Sequence, residues 1–261
     1  MIPTVCWAQD NDCGADAKSI LASAYPAAQS VSAYEYSLET DKITLSARSA
    51  LDSNPYAMVC RRWPSNPQYL LVAVPLIHPQ QNEFLVEGDL EILVVETHDL
   101  RVRARLRIPK FISDDAIALS RIVFDTAPYR LVAGRSAFGL RASIENSSRA
   151  NPISQTTLWL YDFDGEKLKP VLEGIVVEQL HGETDTNCAG EFETIKRTLS
   201  LLPQKHDNAT DILVSSRMQN KVYAPHNGAC KESIGKAHTA KHRLVYKNGI
   251  YKLPKALERA F

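Results

Sequence analysis

The sequence is poor in almost everything that betrays a catalyst. It has no Gly-x-Ser-x-Gly elbow and no Ser or Cys with an evident base, so covalent catalysis has no candidate nucleophile. It has no glycine-rich phosphate loop, which removes the common nucleotide-binding modes. Cys188 and Cys230 lack the Cys-x-x-Cys spacing of a zinc site. No apolar run approaches the ~20 residues that a membrane helix needs. The longest, at 70–77, contains Pro75 and reads as a buried strand. An excess of one charge is missing too: 30 Lys and Arg balance 30 Asp and Glu. Global charge therefore gives no reason to expect nucleic acid or a membrane surface.

What is present is length, apolar content and an informative set of cysteines. A chain of 261 residues, 44% of them hydrophobic, can bury a core without help from a metal. The opening Met1-Ile-Pro-Thr-Val-Cys6-Trp7-Ala8-Gln9 places Cys6 and Ala8 at −3 and −1 of a small-x-small cleavage site. The expectation is that residues 1–8 are the remnant of a signal peptide cut between Ala8 and Gln9. Residues 9–261 then form a single β-rich domain in the periplasm. The cut removes Cys6 and leaves Cys13, Cys60, Cys188 and Cys230, the arithmetic of two disulfides in an exported protein. Four cysteines allow three connectivities. Joining nearest neighbours gives Cys13–Cys60 and Cys188–Cys230.

Periodicity sets the fold class. Ala17, Ile20, Leu21 and Ala24 fall at i, i+3, i+4 and i+7 and predict one short helix, stopped by Pro26. Beyond it, sixteen segments alternate or form short apolar runs: 34–38, 43–47, 57–63, 69–76, 90–96, 102–108, 119–125, 129–132, 138–144, 157–163, 168–172, 175–180, 194–201, 211–215, 243–246 and 250–253. The expected fold is all-β, an antiparallel meander with one short N-terminal helix, and either propeller-like or a β-sandwich. Asp164-Gly165 and Asn248-Gly249 mark tight hairpins, because both turn positions need φ > 0. Two long polar stretches interrupt the pattern, at 145–155 and 218–241, and the second reads as a disordered loop tied by Cys230. From residue 217 to 261 there are ten basic residues and two acidic ones. That is either a solvated face or a docking surface for an acidic partner.

Candidate chemistry is sparse. Of the seven histidines only His238 and His242 are four apart, and no acidic third ligand is near them in sequence, so neither a metal nor a cofactor is expected. Asp162-Phe-Asp164-Gly165 begins like a calcium loop, but Lys167 and Lys169 replace the later oxygen ligands. The segment from His181 to Glu193 holds Glu183, Asp185, Glu191 and Glu193 with no Lys or Arg, and it carries Cys188. It reads as a solvated acidic loop stapled for stability, as a rigid surface for a basic partner, or as a carboxylate pair of the glycosidase kind. No cleft is evident for the last. Arg149, in the other polar connection, is a further candidate interface residue.

Three phrases carry a resemblance: Met58-Val-Cys60-Arg-Arg-Trp63-Pro64; Asp125-Thr-Ala-Pro-Tyr-Arg-Leu131 continuing to Ala137-Phe-Gly139; and Asp185-Thr-Asn-Cys188-Ala-Gly-Glu191-Phe. With Gly88-Asp-Leu-Glu-Ile-Leu-Val-Val95 they span about residues 55–215. They resemble a family of exported, mostly uncharacterised bacterial β-rich proteins. Some members look like immunity proteins encoded beside type VI secretion lipase effectors of the phospholipase D type. The resemblance implies a non-catalytic periplasmic protein whose partner is a cognate toxin. It carries no functional residue onto this chain. A phospholipase-D-type His-x-Lys motif is absent from the chain itself, since Ala240 follows His238-Thr. The alternative is a general periplasmic interaction or scaffold protein.

Overall fold

The computed structural model describes residues 13–45, 54–80 and 85–257. The expected cleavage site and Cys6 lie outside them. The described chain is all-β and antiparallel apart from one parallel bridge, Thr44 to Ala57, with a single short α-helix near its N-terminus. Two compact units emerge, one comprising Met1–Gln81 and Val86–Ile112, the other chiefly Ser113–Phe261. The division falls inside a strand, where composition gives no sign of a boundary.

In the first unit, α1 (Ala17–Ala24) buries Ala17, Ile20, Leu21 and Ala24, the four residues its periodicity selects. Fully burying Ile20 and Leu21 stabilises the unit by about 1.5–3 kcal/mol each. Tyr25 leaves helical geometry at φ −136°, because Pro26 disfavours that geometry in the residue before it. Strands β1 (Gln29–Ser30), β2 (Glu35–Leu38), β3 (Asp41–Thr44), β4 (Val59–Arg62), β5 (Tyr69–Ile77), β6 (Val86–Glu96) and β7 (Val102–Asp114) form one sheet, in the order β1-β2-β3-β5-β6-β7 with β4 on β5. On that edge of β5, β4 pairs with residues 70–73 and β3 meets Ile77. Pro75 falls in the gap between them, where a missing N–H costs least. The Cys13–Cys60 disulfide joins the chain just before α1 to β4, and both cysteines are buried with the helix in one apolar cluster.

In the second unit, β8 (Ile117–Tyr129), β9 (Ser136–Asn146), β10 (Ile153–Phe163), β11 (Leu168–Thr184), β12 (Gly190–His206), β13 (Ala209–His226) and β14 (Ala229–Ile234) each pair with the next in sequence. β15 (His238–Leu244) returns to the free edge of β13 beside β14, and β16 (Tyr246–Lys247) with β17 (Ile250–Tyr251) forms a small hairpin. A meander of this length is not built from four-stranded blades, so the described residues form no propeller. The core gathers Leu158, Leu160, Ile175, Val177, Ile212, Val214 and Leu244.

Two expectations are corrected here. The segments 168–172 and 175–180 are one strand: Gly174, at φ 73°, forms an irregularity that shifts register without ending the pairing. The stretch 218–241 is not a disordered loop. It contains the outer half of β13, all of β14 and the start of β15. Asn227 (φ 49°) and Gly228 (φ 76°) turn β13 into β14 as an Asn-Gly hairpin.

Candidate functional site

The segment read as an acidic loop is the end of a long hairpin. β11 runs to Thr184 and β12 begins at Gly190, so only residues 185–189 are turn. Asp185 builds that turn: its Oδ1 accepts the N–H groups of Asn187 at 2.9 Å and Cys188 at 2.8 Å. These bonds hold its carboxyl below the usual carboxylate range. Its own N–H donates to Ala189 O at 2.8 Å, and Thr186 takes φ 65°. Cys188 is thereby aimed at Cys230 on β14, two strands away, and the disulfide forms with a Cα–Cα separation of 4.8 Å in the first bridge and 5.5 Å in this one. Both bridges are the nearest-neighbour pairs.

The other three acids share one face. Register pairs Glu183 with Glu191 and His181 with Glu193. Directly opposite residues project to the same side, and so do residues two apart on one strand. Glu183, Glu191 and Glu193 therefore form a cluster beside Asn220 and Val222 of β13. Val222 is 42% exposed. No residue at 178–184, 190–206 or 217–234 is buried, so this end of the sheet has no core of its own. The backbone ladder, the disulfide and the Lys221–Glu232 ion pair at 2.8 Å hold it together.

The opposite face carries a feature the sequence reading missed. Phe192 meets Tyr223 edge to face, with ring centroids 5.6 Å apart. Its ring lies against Gly182 and Gly190: a Cβ on Gly182 would stand 2.5 Å from Phe192 Cδ1, and one on Gly190 3.1 Å from Cε2. Glycine leaves strand backbone open, and a neighbouring aromatic closes it. The visible signal was Phe192 alternating between Glu191 and Glu193, with Gly190 beside it.

Arg149 sits in the β9–β10 connection. Thr184 N–H donates to Ala150 O at 2.8 Å and Gly182 N–H to Pro152 O at 3.2 Å, so this connection lies along β11 beside the acidic hairpin. Asn146 closes it, accepting from Ile153 N–H at 3.0 Å and donating to Asn151 O at 2.9 Å. The structure thus brings the loop of Arg149 to the acidic segment; Arg149 itself is exposed.

Other charged clusters are internally paired. Glu96, His98 and Asp99 lie close enough to share an ion, but Arg101 already donates to both oxygens of Glu96, at 3.1 and 3.0 Å. His238 and His242 fall on β15, where residues four apart are ~13 Å from each other along the strand. No family model, curated protein or solved structure matches the chain. No helix among the described residues is long and apolar enough to cross a membrane, which says nothing about strands.

Proposed function

We propose that this is a protein-binding inhibitor: a periplasmic immunity protein that neutralises a secreted antibacterial effector, of the phospholipase D lipase type that the resemblance implies, without catalysis of its own. The observation that supports this reading is the acidic end of the β11–β12 hairpin. Three carboxylates share one uncovered face there, and a disulfide ties the segment although nothing near it is buried. A stapled surface loses little conformational freedom on binding, so more of its contact energy appears as affinity. Phospholipase D sites are basic where they grip phosphate, and a rigid acidic face complements such a site. The two disulfides fit the oxidising compartment in which effector and inhibitor meet.

The test is calorimetric titration of the candidate effector with the wild-type chain and with the E183A/E191A/E193A variant. The expected outcome is at least a roughly tenfold loss of affinity in the variant. Equal affinities would remove this face from the interface.

A further inference from the structure

In the first unit, β3 and β5 share a single residue pair, Lys42 with Ile77. Beyond it the strands part, and Thr44 bridges Ala57 instead. A cavity of about 340 Å³ opens at the parting, within the size range of small-molecule sites. Lys42 and Thr44 line it from β3, while Ile43 between them points the other way, into the apolar cluster around α1. Ile77 stands directly opposite Lys42 and so lies on the same side, where Pro79 and Val86 extend the apolar surface. Thr40, Asn54 and Gln80 are exposed and supply a polar rim.

Thr44 is the anomaly in this cavity. Its backbone O accepts from Met58 N–H at 2.8 Å. Its Oγ1 is buried and makes no hydrogen bond, although the residue is only 7% exposed. A buried hydroxyl left without a partner is destabilising, and a ligand that supplies the partner recovers the cost. The charged groups nearby are already matched. Lys42 Nζ meets Glu35 Oε1 at 3.0 Å. Arg107 holds Asp41 through Nη2 at 3.1 Å and Asp89 through Nε at 2.6 Å, and His78 Nε2 lies 3.5 Å from Asp89 Oδ1. These contacts tie β3 to β6 and β7 across the single-pair junction, so the cavity is braced without a ligand.

We propose that this cavity binds a neutral sugar ring. A charged ligand would enter without a counter-charge, since each nearby charge has its partner, and that is costly in a half-buried site. A wholly apolar ligand would strip water from Thr40, Asn54 and Gln80 and leave Thr44 Oγ1 unpaired. A sugar meets both demands. Each of its hydroxyls donates and accepts, as do the threonine hydroxyls and the Asn54 and Gln80 amides. Asn54 Oδ1 already accepts from Tyr56 N–H at 2.9 Å, which leaves Nδ2–H to donate. The carbon face of the ring lies on Ile77, Pro79 and Val86. This site belongs to the first unit, and it stands or falls independently of the acidic hairpin and of any partner bound there.

The test follows the backbone amide resonances of the intact, oxidised protein during titration with glucose and with N-acetylglucosamine. Saturable one-to-one shifts are expected at 40–44, 54–57, 77–80 and 86–88; tighter binding of either sugar supports the assignment. T44V keeps the shape of the side chain and removes only the hydroxyl. It should bind sugar about fivefold more weakly, the worth of one neutral hydrogen bond. Its thermal stability should equal or exceed that of the wild type, because the hydroxyl is unpaired in the free protein. Should T44V fail to fold, Q80A at the exposed rim replaces it, with a loss of about threefold expected. The assignment is overturned by the absence of saturable shifts with either sugar, by shifts that lie elsewhere, or by unchanged affinity in the deciding variant. Tighter binding of glucuronate or glucosamine than of glucose also overturns it.

Discussion

Glu183 on β11 stands directly opposite Glu191 on β12, so two carboxylates occupy a single cross-strand position. Like charges so placed destabilise a sheet by up to ~1 kcal/mol. Replacing one of them with the opposite charge turns repulsion into attraction. E191K should therefore raise the stability of the isolated protein by about 0.5–1 kcal/mol in urea unfolding, with an unchanged denaturant slope. The same variant should bind a basic partner more weakly. A variant that is no more stable than the wild type would show that the pair carries no repulsion.

Phe192 depends on the absence of a side chain at Gly182. A Cβ there would also meet Glu191 O at 2.6 Å, and a backbone atom cannot move aside as a side chain can. G182A should destabilise the hairpin by about 1–3 kcal/mol, the usual cost of overpacking. F192A removes the edge-to-face partner of Tyr223 and should cost about 0.5–1.5 kcal/mol beyond its lost area. Hydrogen exchange reads both, with faster exchange over residues 180–194 and 219–226. Exchange confined to other strands would contradict the role given to the ring.

What could be read from sequence tracks what the physics makes local. The buried face of α1 is set by 3.6-residue spacing, and Ala17, Ile20, Leu21 and Ala24 are all buried. The Asn248-Gly249 turn is set by two residues that accept positive φ, at 56° and 89°. The stretch 218–241 escaped because this part of the sheet buries nothing, so no apolar alternation marks it; only Asn227-Gly228 betrays the hairpin. The acidic cluster was legible as composition. Its division into three face residues and one turn residue was not, because Asp185 is distinguished by bonds to Asn187 and Cys188.

The two disulfides should separate by what they hold. Cys13–Cys60 closes a separation of 47 residues within a buried cluster, and Cys188–Cys230 one of 42 within an uncovered sheet end. Chain entropy alone assigns each about 3–4 kcal/mol. C13A/C60A should lose about that much, because its cysteines are part of the core. C188A/C230A should show its effect first as faster exchange at 185–189 and 227–234, since this end can open without unfolding the core. Equal and purely global losses in both variants would argue against a separately opening end.

Asp211 on β13 is fully buried and accepts from Arg243 Nε at 2.6 Å and from His206 Nδ1 at 2.9 Å. Burial alone would raise its pKa; the hydrogen bonds and charges of His206 and Arg243 outweigh it and hold the carboxyl below the usual range. A depressed folded pKa means stability that is fully present above the unfolded value of about 3.9. That stability fades as pH falls from there through the folded value. D211N removes the charge and replaces one of the two acceptor oxygens shared by Arg243 and His206 with an amide NH2. Because Arg243 and His206 are each almost half exposed, water relieves part of the loss, and the penalty at pH 7 should be about 2–3 kcal/mol. As pH falls below the unfolded value of about 3.9 the wild-type carboxyl protonates and the two proteins should converge. Urea unfolding of both at pH 7, 5 and 3 measures this, and a penalty that stays constant across the series would show that Asp211 stabilises the fold by its shape and not by its charge.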